Sequence, residues 1–175
     1  MLRGAESALR EGASGESGSG ASLVLGPAEE LTGWLARWAE ARLVAGERLF
    51  VVQFWTGRPS RSLLSLTARF SGRIEIRFMG RDEPDLSPGS GSVDDKWAAD
   101  GVALGARALE KGGWDHVVLL EVDAVVRQGF VELDRVLELV DRRPSDRGLL
   151  FLCTGAPTEL FEAVGRVIRL TTPGG

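Results

Sequence analysis

Short apolar runs alternate along this chain with stretches whose apolar residues fall at helical spacing. Ser22-Leu23-Val24-Leu25-Gly26 predicts a first strand. After it Leu31, Trp34, Leu35 and Trp38, at i, i+3, i+4 and i+7, lay one stripe on a helix from Pro27 to Ala45. Leu49 to Trp55 is apolar on both faces, as a central parallel strand requires. A short helix follows from Arg61 to Phe70. Ile74 to Met79 then alternates apolar and charged residues, which predicts an edge strand. Lys96 to Lys111 reads as a helix with Trp97, Gly101, Leu104 and Ala108 on one side, stopped by Gly112-Gly113. Strands at His116–Val122, Leu149–Cys153 and Val167–Leu170 alternate with helices at Val131–Arg142 and Thr158–Val164.

Regular alternation of strand and helix predicts an α/β domain, doubly wound around a mostly parallel sheet of about six strands. In such sheets ligands bind beyond the carboxyl ends of the strands. Those ends carry Gly26, Gln53 to Gly57, Gly80 to Asp85, Glu121 to Asp123 and Thr154-Gly155. Residues 1–20 are rich in glycine and serine and read as a flexible tail, with a single domain over 21–175. Residues 80–95 form the longest expected loop, and Asp82, Glu83, Asp85, Asp94 and Asp95 make it acidic.

Composition narrows the chemistry. A net charge of −4 argues against a general grip on nucleic acid or anionic membrane. No apolar run has the length of a membrane span, and the amino terminus has no signal-like apolar core, so a cytoplasmic protein is the expectation. One cysteine, Cys153, gives no disulfide framework, and one histidine, His116, gives no paired-histidine zinc motif. Trp34, Trp38, His116 and Cys153 read as structural. Arg58 and Arg61 read as exposed turn residues, and Arg142-Arg143 as a charge cap on a helix end.

The strand ends taken in order resemble the ATP:corrinoid adenosyltransferase family of P-loop proteins. That family's second strand reads Val-Val-Gln-Phe before Ile-Lys-Gly, and Val51-Val52-Gln53-Phe54 here precedes Trp55-Thr56-Gly57. Its acidic strand, Val-Val-Leu-Asp-Glu, is similar to Val117-Val118-Leu119-Leu120-Glu121. Its late Arg-Pro, Thr-Gly and Pro-Glu-Glu-Leu resemble Arg143-Pro144, Thr154-Gly155 and Pro157-Thr158-Glu159-Leu160. The likeness runs from about Ala21 to Leu170 and implies a P-loop NTPase (RecA-like) architecture. It also implies ATP, Mg²⁺ and a corrinoid as ligands, in transfer of the 5′-deoxyadenosyl group of ATP to cob(I)alamin or a precursor. Gly26, Thr32, Gln53, Thr154 and Gly155 then fall at nucleotide-binding positions, and Glu121 with Thr32 at the metal.

The departures lie at the phosphates. The family loop, Gly-Asn-Gly-Lys-Gly-Lys-Thr-Thr, matches here at Gly26 and Thr32, but its lysine positions hold Glu29 and Leu31. Leu120 replaces the acidic strand's aspartate, and no aromatic residue stands between Phe78 and Trp97, where the family covers the corrinoid. A helix terminus attracts an anion by about 0.3–1 kcal/mol. One like-charge pair at ~4 Å repels by about 4 kcal/mol at an effective dielectric of about 20. Glu29 and Glu30 thus offset the helix dipole. The expected function is a corrinoid adenosyltransferase-like protein that has lost the phosphate site and serves as a non-catalytic binding or interaction module. Its partner would be a corrinoid, a protein or a second copy in a homodimer. The alternatives are an active adenosyltransferase of cobalamin biosynthesis or salvage, and a RecA-like regulatory domain without ATPase activity.

Overall fold

The computed structural model describes residues 20–55, 60–80 and 93–171. The tail over 1–19, the turn at Thr56 to Pro59 and most of the acidic loop, residues 81–92, lie outside them. Among the described residues six strands and six helices follow in the order β1 (Ala21–Leu25), α1 (Ala28–Val44), β2 (Leu49–Gln53), α2 (Arg61–Arg69), β3 (Ile74–Phe78), α3 (Val93–Lys111), β4 (His116–Leu120), α4 (Val122–Arg127), α5 (Leu133–Arg142), β5 (Gly148–Cys153), α6 (Thr158–Ala163) and β6 (Arg166–Arg169). The strands form one sheet in the order β3-β2-β4-β5-β1-β6. Every neighbouring pair is parallel. This is the expected doubly wound α/β sheet.

Period-two alternation sends successive strand residues to opposite faces. Val24, Val51, Val118, Leu150 and Leu152 meet Leu31, Trp34, Leu35, Ala39 and Leu43 of α1 and Leu63 and Leu66 of α2. On the other face Leu23, Val52, Leu119 and Phe151 pack under α3 to α6, through residues such as Val102, Val125, Val136 and Leu160. The inner strands are therefore covered on both faces: all five residues of β2, the polar Gln53 included, and all six of β5 are buried. The edge assigned to β3 is correct, and Arg77 Nε reaches Glu75 Oε1 at 2.7 Å on its open side.

Three readings change. The contact face of α3 is Ala98, Gly101, Val102, Gly105, Ala108 and Leu109, whereas Trp97 is 37% exposed. A Cβ on Gly101 would meet Phe54 Cε1 at 2.7 Å, so small residues let this helix lie close on the sheet. The segment after β4, read as the end of a strand, turns at Glu121 into α4, a short helix the apolar pattern did not reveal. In α1, Trp38 is half-buried at the margin of the stripe, which continues through Ala39 and Leu43 instead.

Candidate functional site

The carboxyl edge of the sheet gathers the ends of β1, β2, β4 and β5, where Gly26, Gln53, Glu121, Thr154 and Gly155 stand. Only Gly26 and Pro27 separate the last residue of β1 from the first of α1. The Gly26 amide donates to the Cys153 carbonyl at 3.3 Å, and Leu170 donates to the Leu25 carbonyl at 2.7 Å. Leu170 thereby covers the glycine: a Cβ on Gly26 would lie 2.8 Å from Leu170 Cβ.

A helix start ordinarily leaves four amides unbonded within the helix. Here Pro27 has none and the Glu30 amide turns back to the Pro27 carbonyl at 3.0 Å, which also takes the first regular helical bond from the Leu31 amide at 3.0 Å. Glu29 and Glu30 occupy the first turn. Thr32, one turn further in, donates its hydroxyl back to the Ala28 carbonyl at 3.2 Å, a bond internal to the helix.

On the acidic strand, Glu121 caps α4 with φ 65° and ψ 25°. Among the described residues it alone has a positive φ without being glycine. The backbone passes from strand to helix through this one residue, and the left-handed conformation costs about 1–3 kcal/mol. It is locked by the Glu121 amide to the Leu152 carbonyl at 2.8 Å and by the Ala124 amide to the Glu121 carbonyl at 3.1 Å. Gln53, 5% exposed, closes β2, and its carbonyl receives the Met79 amide at 2.8 Å.

The residue that organises this edge was not singled out from the sequence. Asp123 is 3% exposed, and its Oδ2 accepts from the Thr154 hydroxyl at 3.1 Å and the Gly155 amide at 3.0 Å. Thr154 and Gly155 are thus brought together, held by a buried carboxylate. Asp123 Oδ1 has no hydrogen-bond partner. Arg127 Nη1 lies 3.5 Å from Oδ2 but is 55% exposed, so the pair is largely screened. Burial, and then the Asp123 charge, push the Cys153 thiol well above its ordinary value, which makes it unreactive. A four-residue spacing to Arg127 and a place just past a strand end were the available signals for Asp123.

Between the ends of β2 and β3 a cleft of about 10 Å³ is lined by Phe54, Trp55, Met79, Gly80, Asp94, Val125 and Phe130, room for about one water. Gly80 is required there, since a Cβ would meet the Phe54 carbonyl oxygen at 2.3 Å. Among the described residues, no cluster of three or more His, Cys, Asp or Glu could hold a metal ion. Arg61 is exposed at the start of α2, while Arg58 lies outside the described residues. Arg143 stands at the carboxyl end of α5, but its guanidinium donates to carbonyls of the loop beyond the helix, Pro144 at 2.9 Å and Arg147 at 2.8 Å, and so ties that loop.

Against this geometry, the sequence model described as ATP:corrinoid adenosyltransferase BtuR/CobO/CobP matches residues 36–172. The chain belongs to that family. Its sequence is also similar to a corrinoid adenosyltransferase of Pseudomonas aeruginosa, 25% identical over 130 residues, or 72% of this chain. That alignment spans 62% of the relative's length. The family match starts inside α1, beyond Gly26 to Thr32, and includes the ends of β2, β4 and β5. No described helix is long and apolar enough to cross a membrane.

Proposed function

We propose that this family member does not seat the triphosphate of ATP at the start of α1 and acts as a non-catalytic binding or interaction module. The observation that carries the reading is the two-residue passage from Leu25 to Ala28. A phosphate cradle wraps several consecutive backbone amides around the anion and adds a lysine. This passage supplies a glycine packed against Leu170, a proline without an amide, and a first turn carrying Glu29 and Glu30. The Thr32 hydroxyl, where the resemblance implies a Mg²⁺ contact, is engaged with the Ala28 carbonyl. These residues do not fit a magnesium triphosphate. What remains is a rigid carboxyl edge on which a corrinoid or a protein surface would dock.

A second reading, retained transfer from ATP to a corrinoid, is favoured by Glu121. Its strained backbone presents a carboxylate where the resemblance implies a metal contact. The reaction would need that carboxylate, phosphate oxygens and water to complete a magnesium shell.

Isothermal titration of the full chain with MgATP separates the two. The proposed module gives no binding heat at millimolar nucleotide, and incubation with ATP and a reduced corrinoid yields no adenosylated product. Saturable binding together with product would establish the transferase and overturn the module. Replacing residues 27–33 with the family's glycine- and lysine-rich loop is expected to restore nucleotide binding.

A further inference from the structure

A cavity of about 380 Å³ lies at the opposite, amino edge of the sheet. Gly20 to Ser22, the start of β5, and Gly165 to Ile168 shape it against the flank of α1. Trp38, half-buried on α1, gives it an apolar wall, and His116 meets that ring edge-on at 5.3 Å. Ile168, half-buried on β6, adds a second apolar surface.

Where the chain enters bears on what covers this wall. Gly20 lines the cavity, and its carbonyl takes the Leu149 amide at 3.4 Å, so the chain before it arrives at the rim. Residues 12–19 are glycine and serine apart from Ala13 and Glu16, a linker by composition with a reach of about 14–17 Å. A tether this short holds the residues before it at a millimolar effective concentration. A contact too weak to form between separate molecules is then populated.

Charge is the second guide. Arg42 and Arg166 line the cavity together with Glu47, Asp115 and Asp146. Glu47 is engaged by Arg42 at 3.4 Å and by His116 Nε2 at 2.8 Å, while the Asp146 side chain is 75% exposed. A lining of both signs disfavours a ligand of one charge and suits a peptide that carries both. Residues 2–11 do: Arg3 and Arg10 stand beside Glu6 and Glu11, and Leu2, Ala5 and Leu9 fall at i, i+3 and i+7.

We propose that this cavity is the docking seat of the chain's own residues 2–11, with Leu9 against Trp38 and Ile168. Exposed ion pairs contribute little, so Arg10 beside Asp146 orients the segment and the leucine holds it. Burying one leucine is worth about tenfold to a hundredfold in affinity, and the tether supplies the rest. The docked segment closes the cavity to diffusible ligands. This seat is independent of the carboxyl edge and of whether ATP binds there.

The test attaches a nitroxide to the full chain at Ser7→Cys. Cys153 is buried and its thiol is raised well above the ordinary value, so the label goes to the new cysteine alone. The Trp38 indole and the Ile168 amide are followed in the ¹⁵N-labelled protein, the indole assigned among five tryptophans by its loss in Trp38→Phe. Both resonances are expected to broaden. Leu9→Ser leaves every described packing contact in place, and it is expected to weaken docking about tenfold to a hundredfold and restore sharp lines. Broadening that survives Leu9→Ser unchanged comes from the tether alone and overturns the proposal, as does the absence of broadening. In a mixture where one set of chains carries the nitroxide and the other the ¹⁵N, the lines are expected to stay sharp. Broadening there puts the segment of a second copy in the cavity and overturns the assignment to the chain's own residues.

Discussion

Thr154 donates its hydroxyl to Asp123 Oδ2 at 3.1 Å, fastening the turn after β5 to the first turn of α4. The Gly155 amide converges on the same oxygen at 3.0 Å. Two adjacent strand ends are therefore held by one buried carboxylate. Asp123→Ala removes the acceptor for both donors and is expected to lower stability by about 1–3 kcal/mol. Thr154→Val, which loses one bond at an exposed position, costs about 0.5–1.5 kcal/mol. Urea midpoints of the two variants and their double mutant check this. A strictly additive double mutant would show that the pair is not coupled.

Gly148 opens β5 against His116: a Cβ there would lie 2.1 Å from the imidazole Nδ1. Gly148→Ala therefore forces the ring or the strand to move, costing about 1–3 kcal/mol as overpacked sites do. His116→Ala makes room for the added methyl. The double variant is expected to be less destabilised than the sum of the singles by about 0.5–3 kcal/mol, measured by thermal or urea unfolding. Gly80→Ala has no such rescue, because its clash is with the backbone oxygens of Phe54 and Trp55.

Much of this architecture was legible because periodicity reports burial. The runs at Leu23 to Leu25, Leu49 to Val52 and Val117 to Leu120 are buried strands, and Leu31, Trp34 and Leu35 are the buried stripe of α1. Alternation at Glu75 and Arg77 placed β3 at the edge. In α3 the expected side held at Gly101, Leu104 and Ala108 but not at Trp97, because glycines and alanines, weak in hydropathy, make up much of the contact face. The motif positions Gln53, Glu121, Thr154 and Gly155 do sit on one edge of the sheet. Asp123 was passed over because an acid beside an apolar run reads as solvated. Its burial depends on Thr154 and Gly155, some thirty residues away. The wall shared by Trp38 and His116 was equally hidden, since they meet through tertiary contact alone.

His116 also predicts a pH dependence. Its Nε2 lies 2.8 Å from Glu47 Oε2, yet burial outweighs the pull of that carboxylate and lowers the imidazole below its ordinary 6.5. Arg42 adds to the lowering, while Asp115 opposes it. The ring is then neutral near pH 7, with Nε2–H donating to Glu47. Above 6.5 the ring is neutral in both folded and unfolded chains, and the contribution is complete. As pH falls below 6.5 the unfolded chain takes the proton first, and stability is lost down through the lower folded value. Urea midpoints measured from about pH 8 to about pH 5 should show this acid loss in the natural chain. It should be smaller in His116→Gln, which has nothing to titrate at this position. An unchanged slope in that variant would assign the loss to the carboxylates.

Glu121 gives the prediction that bears most directly on function. A left-handed backbone costs a non-glycine residue about 1–3 kcal/mol, whereas glycine adopts it without steric cost. Glycine also makes the unfolded chain freer, which offsets about 0.4–1 kcal/mol of the relief. Glu121→Gly is therefore expected to match or exceed the natural chain in stability by up to about 1–2 kcal/mol, while Glu121→Val, β-branched at a positive φ, falls below both. Thermal unfolding ranks the three. If the glycine variant is the most stable, the natural chain keeps a strained carboxylate at the end of β4 at a cost in folding. Strain retained in this way favours a side chain with work to do at the carboxyl edge. If Glu121→Gly instead destabilises the chain by more than about 1 kcal/mol, the side chain itself supports the fold, and Glu121 needs no ligand to explain it.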